Sequence, residues 1–248
     1  MIGSVQKIAR ILNCFTDEEP VLGNLDIATK LDLNPSSVHH LLHTLCQEGM
    51  LIKDSQKKYR LGWKLLEWGN RVMYQKEMLS GAFPIVEGLI RRFNGAVHIG
   101  MFDQGEVVFV LKASPKESQE IPTYVGSRKP AYCTSSGKIL LSSNPPMVKV
   151  TVEKGLVQRA PNTITCAAQL QTELQEVKKR GYSVSDNENE LGLYGVAAPI
   201  RSYSGHTIAS LNIVGEPFYM QGRDSKGILE HLLLTANTLS KELGYIEV

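Results

Sequence analysis

Between residues 4 and 49, apolar positions recur three or four apart and are interrupted by turn signals, a rhythm that predicts three successive helices. Ser4 is placed to cap the first, whose Val5, Ile8, Ile11, Leu12 and Phe15 make one stripe. The second is expected from about Asn24 to Leu31, with Leu25, Ala28 and Leu31 on one face. A tight turn over Asp32, Leu33 and Asn34 follows. Asn34-Pro35 then starts the third helix: Asn caps, and Pro takes the first helical position because its missing N–H would be orphaned there anyway. This helix runs to about Glu48, and Gly49 ends it.

On a helical wheel, Val38, Leu41, Leu42 and Leu45 cluster within about 60° of a common direction. Ser36, His40, His43 and Gln47 occupy the opposite side. That side is polar, rich in hydrogen-bonding groups and free of carboxylates, so it can enter a groove lined by phosphates and base edges without like-charge repulsion. A merely solvated face has the same pattern. The segment MLIKDSQKKYRLG then reads as two short strands around a turn at Asp54 to Lys57. Lys53, Lys57, Lys58, Arg60 and Lys64 face a single acid, Asp54, in a chain whose net charge is only +2. A helix-turn-helix followed at once by a basic hairpin is the layout of a winged helix-turn-helix, whose wing touches phosphates or the minor groove.

A helical stretch from Trp63 to Met78 carries Leu65, Leu66, Trp68, Val72 and Met73 and is long enough to separate two domains. Its Trp63, Leu66 and Trp68 offer more apolar surface than a solvated spacer needs, which points to dimerisation through the first helix and this linker helix. Another helix is expected from about Ser80 to Phe93. After Gly95 the period becomes two: strands Val97 to Phe102 and Val107 to Lys112 flank an Asp103-Gln104-Gly105 turn. Helices follow near Ser135 to Leu141, Pro146 to Lys154 and Ala167 to Arg180, and strands near Tyr182 to Ser185, Leu193 to Arg201 and Thr207 to Val214. The last helix runs from about Lys226 to Leu243. Hairpins among helices indicate an α+β fold with a largely antiparallel sheet.

Composition limits the class. The 248 residues, 42% hydrophobic and 21% charged, suit one or two globular domains that bury about 70% of their surface. Cys14, Cys46, Cys133 and Cys166 have no metal-knuckle spacing and read as buried thiols of a reducing compartment. No apolar run approaches the roughly 18 residues of a membrane span, and the interleaved charges of MIGSVQKIARILNCF do not make a secretory signal, so a cytoplasmic location is expected.

Two long segments, VGSRKPAYCTSSGKILL at Val125 to Leu141 and KRGYSVSDNENELGLYGVAAPIRSYSGHTIASLNIVGEP at Lys179 to Pro217, resemble the effector-domain signature of the IclR family of bacterial transcriptional regulators. SVQKIARILNCF, SSVHHLLHTLCQEGML, KYRLG and LSKELGY agree with that family in the same order, so the likeness spans nearly the whole chain. It implies a winged helix-turn-helix over 1–62, a dimerising linker helix over 63–79, and an effector-binding domain over 80–248 with a mixed α/β, profilin-like or GAF-like, mostly antiparallel sheet. The chain departs from the pattern in places. Ser185-Asp186 followed by Asn187-Glu188 stands where many members have an acidic pair, and Gly195 stands where a Cys often precedes the A-A-P strand.

For DNA, the candidate contacts are Ser36, Ser37, His40, His43 and Thr44 on the third helix and Lys57, Lys58 and Arg60 on the wing. Ser135, Ser136 and Gly137 open a helix, where free N–H groups and the positive dipole end favour a carboxylate; plain N-capping is the alternative. The family resemblance implies effector contacts at Ser135, Ser136, Ser185, Leu193, Gly195, Asn212 and Val214. Gly195, replacing a larger side chain, is expected to widen the cavity, and Arg128 to form a surface salt bridge.

Tests for an enzyme find little. Ser136-Gly137-Lys138 is not a phosphate loop, because Ile139 replaces the Mg²⁺-binding hydroxyl residue. Nothing ties His98 or His206 to Cys133 as a base, and Asp186, Glu188 and Glu190 read as solvated acids. No catalytic residue, metal or cofactor is assigned. The reading is a ligand-responsive regulator, with repression the expected output. It binds a pseudo-palindromic double-stranded operator as a dimer or dimer of dimers and responds to a small, anionic organic acid or related metabolite. The alternative is a metabolite-binding or hydrolytic domain carrying an N-terminal helical protein-interaction module.

Overall fold

The computed structural model describes residues 3–74, 81–115, 121–222 and 225–246. It divides into two compact units, 1–75 and 76–248.

In the first unit, α1 (Gly3–Leu12), α2 (Asn24–Leu31) and α3 (Pro35–Gln47) enclose Ile11, Ile27, Val38, Leu42 and Leu45, all essentially without solvent contact. Each such buried aliphatic side chain contributes about 1.5–3 kcal/mol relative to exposure. Ser4 lies inside α1 and does not cap it. On α2 the buried pair is Ile27 and Ala28, and Leu25 is 68% exposed, so the buried face is turned from the expected one. Asp32 turns the chain in the left-handed region at φ 52°, and the Asn34 side chain accepts from Ser36 N–H, the cap expected of Asn-Pro.

The hairpin β1 (Leu51–Lys53) and β2 (Tyr59–Leu61) pairs Leu51 with Leu61. Its turn is closed by Asp54 Oδ1, which accepts from Gln56 and Lys58 N–H at 2.9 Å each. Buried Tyr59 exchanges two backbone bonds with Leu22, fastening the hairpin to the helices. Helix α4 (Trp63–Tyr74) follows. The expected end of this helix at Met78, and the expected start of the next at Ser80, fall outside the described residues.

The second unit is built on six antiparallel strands in the order β5-β4-β3-β8-β7-β6. These are β3 (Ala96–Asp103), β4 (Glu106–Ala113), β5 (Arg128–Pro130), β6 (Ser183–Asp186), β7 (Tyr194–Arg201) and β8 (Thr207–Gly215). Alternation sorts their side chains. Val97, Ile99, Val196, Ala198, Leu211 and Ile213 pack on Val86 and Leu89 of α5 (Ala82–Arg92) and on Ile228, Leu232 and Leu239 of α10 (Ser225–Glu242).

On the other face, Val107 and Phe109 meet a 3₁₀ turn (Ala131–Cys133) and α6 (Ser135–Ser142), with α7 (Pro145–Glu153) and α8 (Ala167–Arg180) outside them. His98, Asn212 and Gly195 each sit one residue from members of the first face and therefore fall on the α6 side. Strand β5 and the short helix α9 (Pro217–Met220) are not foreseen in the sequence. β5 is three residues of Arg-Lys-Pro at the sheet edge, where Pro is tolerated and no apolar alternation marks a strand.

Candidate functional site

Two groups of side chains are candidates, one in each unit. On α3, Ser36, Ser37, His40, His43, Thr44 and Gln47 are all exposed, as is His39, which the helical-wheel reading leaves out. Val38, Leu42 and Leu45 hold the helix from beneath. No acid occurs within α3, and its first turn keeps N–H groups outside the helical ladder, a favourable place for phosphate.

Along the wing, Lys57 and Arg60 are exposed. Lys58 is instead engaged with Asp26 of α2 at 2.9 Å. The Lys58 ammonium, with Gly23 N–H, holds the Asp26 carboxyl below its usual range. Lys53 lies over the Tyr59 ring and Lys64 pairs with Glu67, so the basic hairpin presents fewer uncommitted cations than its sequence suggests.

The second group lines a cavity on the α6 side of the large sheet. Ser135, Ser185, Leu193, Gly195, Asn212 and Val214 are in its wall, as expected. His98, Phe109, Ile121, Thr123, Lys129, Thr134, Asn189 and Glu190 complete it, none of which the sequence reading proposed as a contact. Its volume is about 50 Å³, room for about four water molecules and the scale of a short-chain acid.

Ser136 is absent from the lining; it is fully buried and its Oγ has no partner. Gly195 itself stands in the wall. A Cβ there would lie 2.9 Å from Ser135 Oγ and 3.2 Å from Val214, so the glycine is what lets Ser135 approach β7. Close approach also explains Gly137, whose Cβ would stand 2.1 Å from Ala131 O.

The α6 start is held from two sides. Thr134 Oγ1 accepts from Gly137 N–H at 3.1 Å, and Ser183 and Ser185 of β6 donate to Ser135 O and Cys133 O at 2.5 and 3.0 Å. Lys129, with Glu190 at 3.9 Å, brings a cation to the wall.

His98 is 1% exposed, and its Nε2 lies 2.8 Å from Thr123 Oγ1. Burial, then the nearby Lys112 ammonium, push its imidazole down to about 3 against a smaller pull from the Asn212 amide, so it is neutral at pH 7. Asn212 is the register partner of His98 across β3 and β8, and its amide is the side-chain group that hydrogen-bonds the imidazole.

Beneath the loop that carries Asn189 and Glu190 lies an ion cluster the sequence reading missed. Lys138 of α6 is 2% exposed and meets Glu188 at 2.7 Å and Glu173 at 3.2 Å, and Glu173 also holds Arg180 at 2.9 Å. Glu188 is therefore a buried partner and not a solvated acid, with its carboxyl raised by burial. The signal was Lys138 itself, the one charged residue in a helix of serine, glycine and aliphatic residues, where an uncompensated buried charge would be costly.

Cys133 is buried, its thiol pushed up to about 12 by desolvation, with Asn189 Oδ1 and Pro130 O as neighbours, which does not make a nucleophile. Cys166 differs from the expected buried thiol: it is exposed at the start of α8, and backbone N–H groups lower its pKa. Arg128 pairs with Asp103 and Glu106, the surface bridge expected. Among the described residues, no group of three or more His, Cys, Asp or Glu is placed to hold a metal, and no helix is long and apolar enough to cross a membrane.

Comparison with known proteins gives two family matches. Residues 4–55 match the IclR helix-turn-helix domain, and residues 71–241 match the bacterial transcriptional regulator IclR C-terminal domain. The chain is 28% identical to the HTH-type transcriptional regulator XynR of Escherichia coli K12, covering 99% of this chain and 98% of that one. Among solved structures, the Thermotoga maritima IclR is similar at TM-score 0.77 and 27% identity, covering 99% of this chain and 100% of that one. An IclR homolog from Microbacterium hydrocarbonoxydans, complexed with 4-hydroxybenzoate, is similar at TM-score 0.84 and 25% identity, covering 97% and 98%.

Proposed function

The chain belongs to the IclR family of bacterial transcriptional regulators, and from that premise we propose that α3 reads an operator whose affinity is set by a small organic acid held in the effector-unit cavity, with repression as the output. The observation that carries this reading is the exposed, carboxylate-free face of α3 beside a basic wing. Ser36 and Ser37, at the N-terminal end of α3, take phosphate oxygens, while His40, His43 and Thr44 reach base edges in the major groove. Lys57 and Arg60 meet phosphates from the wing, and Lys58 joins them by exchanging Asp26 for phosphate.

In the second unit, Lys129 and the N–H groups at the start of α6 suit a carboxylate, and the enclosed wall of Phe109, Ile121, Leu193 and Val214 suits a short carbon skeleton. The 4-hydroxybenzoate complex of the Microbacterium homolog supports an organic acid as the class of ligand. Ligand control requires different affinities for the DNA-competent and incompetent arrangements; a tenfold change in operator affinity corresponds to about 1.4 kcal/mol of such difference.

Trp63, Leu66 and Trp68 of α4 are 74, 57 and 41% exposed, apolar surface that suits a second copy and hence a two-fold operator. On this reading the protein acts in the cytoplasm by binding, and the buried Cys133 thiol, pushed up to about 12 by desolvation, is not an activated nucleophile. Selecting bound fragments from the source genome, followed by gel shifts with and without candidate acids, tests the reading. A palindromic fragment released or tightened by an acid is the expected result. Failure to retain any fragment overturns it.

A further inference from the structure

The wing holds one of its cations against its own unit. Leu22 and Tyr59 exchange backbone hydrogen bonds at 3.0 and 2.8 Å, which lays Lys58 beside the start of α2. There a single oxygen, Asp26 Oδ2, accepts from Gly23 N–H at 2.7 Å and from Lys58 Nζ at 2.9 Å. Gly23 occupies the N-cap of α2, where Ser, Thr, Asn or Asp is ordinarily favoured, and supplies no capping side chain. A Cβ at Gly23 would stand 3.1 Å from both Asp26 Oδ2 and Lys58 Nζ and 3.3 Å from Lys58 Cδ, so the glycine leaves the room that the pair fills. Among the described residues, Lys58 is the only candidate wing contact that meets an acid, while Lys57 and Arg60 lie exposed.

We propose that Asp26 limits the DNA affinity of this unit by competing with phosphate for Lys58, its carboxylate occupying the ammonium as a phosphate oxygen would. This rests on the reading of the wing as a phosphate contact and adds the residue that restrains it. A free lysine that neutralises a phosphate releases DNA counterions. A lysine that must first leave a carboxylate also uncovers an anion beside the duplex, and the two changes oppose each other. Both side chains are 45% exposed, so the pair opens readily, and its hold on Lys58 corresponds to a factor of about 1.4 to 5 in affinity. The exchange involves no residue of α3, so the restraint falls on the sequence-independent part of binding and acts on random and operator DNA alike.

The test is a double-mutant cycle on Asp26→Asn and Lys58→Ala in the full-length protein, read by anisotropy on a random-sequence duplex as salt is raised. Asn keeps an oxygen for Gly23 N–H, so the start of α2 is preserved while the charge is lost. Asp26→Asn should tighten binding about two- to fivefold at low salt and steepen the slope of log affinity against log salt by about 0.5. Lys58→Ala should flatten that slope by about 0.4 in the wild type and by about 0.9 in the Asp26→Asn background. Should Asp26→Asn fail to fold, Lys58→Ala is compared with Lys57→Ala; a loss of slope about half as large is expected, and an equal loss overturns the proposal. No gain from Asp26→Asn, or an equal gain with and without Lys58, which is the mark of net charge alone, overturns the inference while leaving the wing contact standing. If Lys57→Ala, Arg60→Ala and Lys58→Ala in the Asp26→Asn background all leave the slope unchanged, the wing contact itself falls, and the inference with it.

Discussion

Lys138→Met tests the buried cluster under the cavity loop. In the wild type one ammonium, 2% exposed, serves Glu188 at 2.7 Å and Glu173 at 3.2 Å. Glu173 keeps Arg180 when Lys138 is lost, but Glu188 keeps no cation, only a backbone hydrogen bond at Asp186, and its second oxygen lacks a partner. Removing one member of such a pair costs about 3–5 kcal/mol, because the other charge stays buried. For a unit of this size that lowers Tm by about 6–20 °C.

The pH dependence has a definite sign. Burial raises the Glu188 carboxyl, and Lys138 is what opposes the rise. In the variant the folded pKa climbs further above the unfolded value. Stability contributed by a raised carboxyl is present below the unfolded pKa and lost as pH rises through the folded one. The deficit is therefore largest near neutrality and narrows as pH falls toward the ordinary carboxylate range. Urea unfolding of the full chain followed by circular dichroism reads it, with Lys138→Met/Glu188→Leu as the companion that removes both charges and recovers at least half the loss. A single-variant cost below about 1 kcal/mol at pH 7, or a deficit that grows as pH falls, refutes the reasoning.

Lys57→Ala and Arg60→Ala should each lower the slope of log affinity against log salt by about 0.9, measured by anisotropy on operator DNA. Lys58→Ala should lower it less, because Asp26 already neutralises that cation. Gly137→Ala drives a methyl to 2.1 Å from Ala131 O and should remove the upper calorimetric transition of the second unit or shift it by several degrees, leaving the N-terminal transition in place. Leu66→Asp with Trp68→Ala should turn the species seen by sedimentation at micromolar concentration into a monomer with weaker operator binding; an unchanged sedimentation profile argues against α4 as the contact.

Helices with strong local grammar were legible in the sequence. Asn34-Pro35 set the start of α3 because capping is settled within four residues, and Ala167–Arg180 was bounded by its own periodicity and by Gly181. The strands of the large hairpin were legible for the same reason, with a turn at Gln104 and Gly105 that both take positive φ. What escaped was non-local. Leu25 looked buried because one turn of a short helix leaves the stripe direction ambiguous, and only packing against α1 and α3 settles it.

At the site, six expected lining residues stand in the wall, but Ser136 does not, since neighbouring helical positions point about 100° apart. His98 comes from β3, tens of residues before the recognisable motif, and only sheet registry brings it to α6, while Thr123 lies just before that motif and Lys129 within it, on a strand that no apolar alternation marks. Lys138 and Glu188, fifty positions apart, could be read as partners only once α6 and the loop after β6 were seen together.

The central claim is that an acid in the cavity sets the affinity of the α3 face for DNA, and one titration addresses it most directly. Anisotropy of a labelled operator fragment is followed with the wild type and with Leu193→Trp, whose indole fills the cavity from its loop side, each with and without saturating acid. The account predicts at least a tenfold ligand-dependent change in Kd for the wild type and less than twofold for Leu193→Trp, with both proteins equal in affinity for DNA without ligand. A wild-type Kd that ignores the acid while calorimetry reports the acid bound, or an undiminished response in Leu193→Trp, contradicts it.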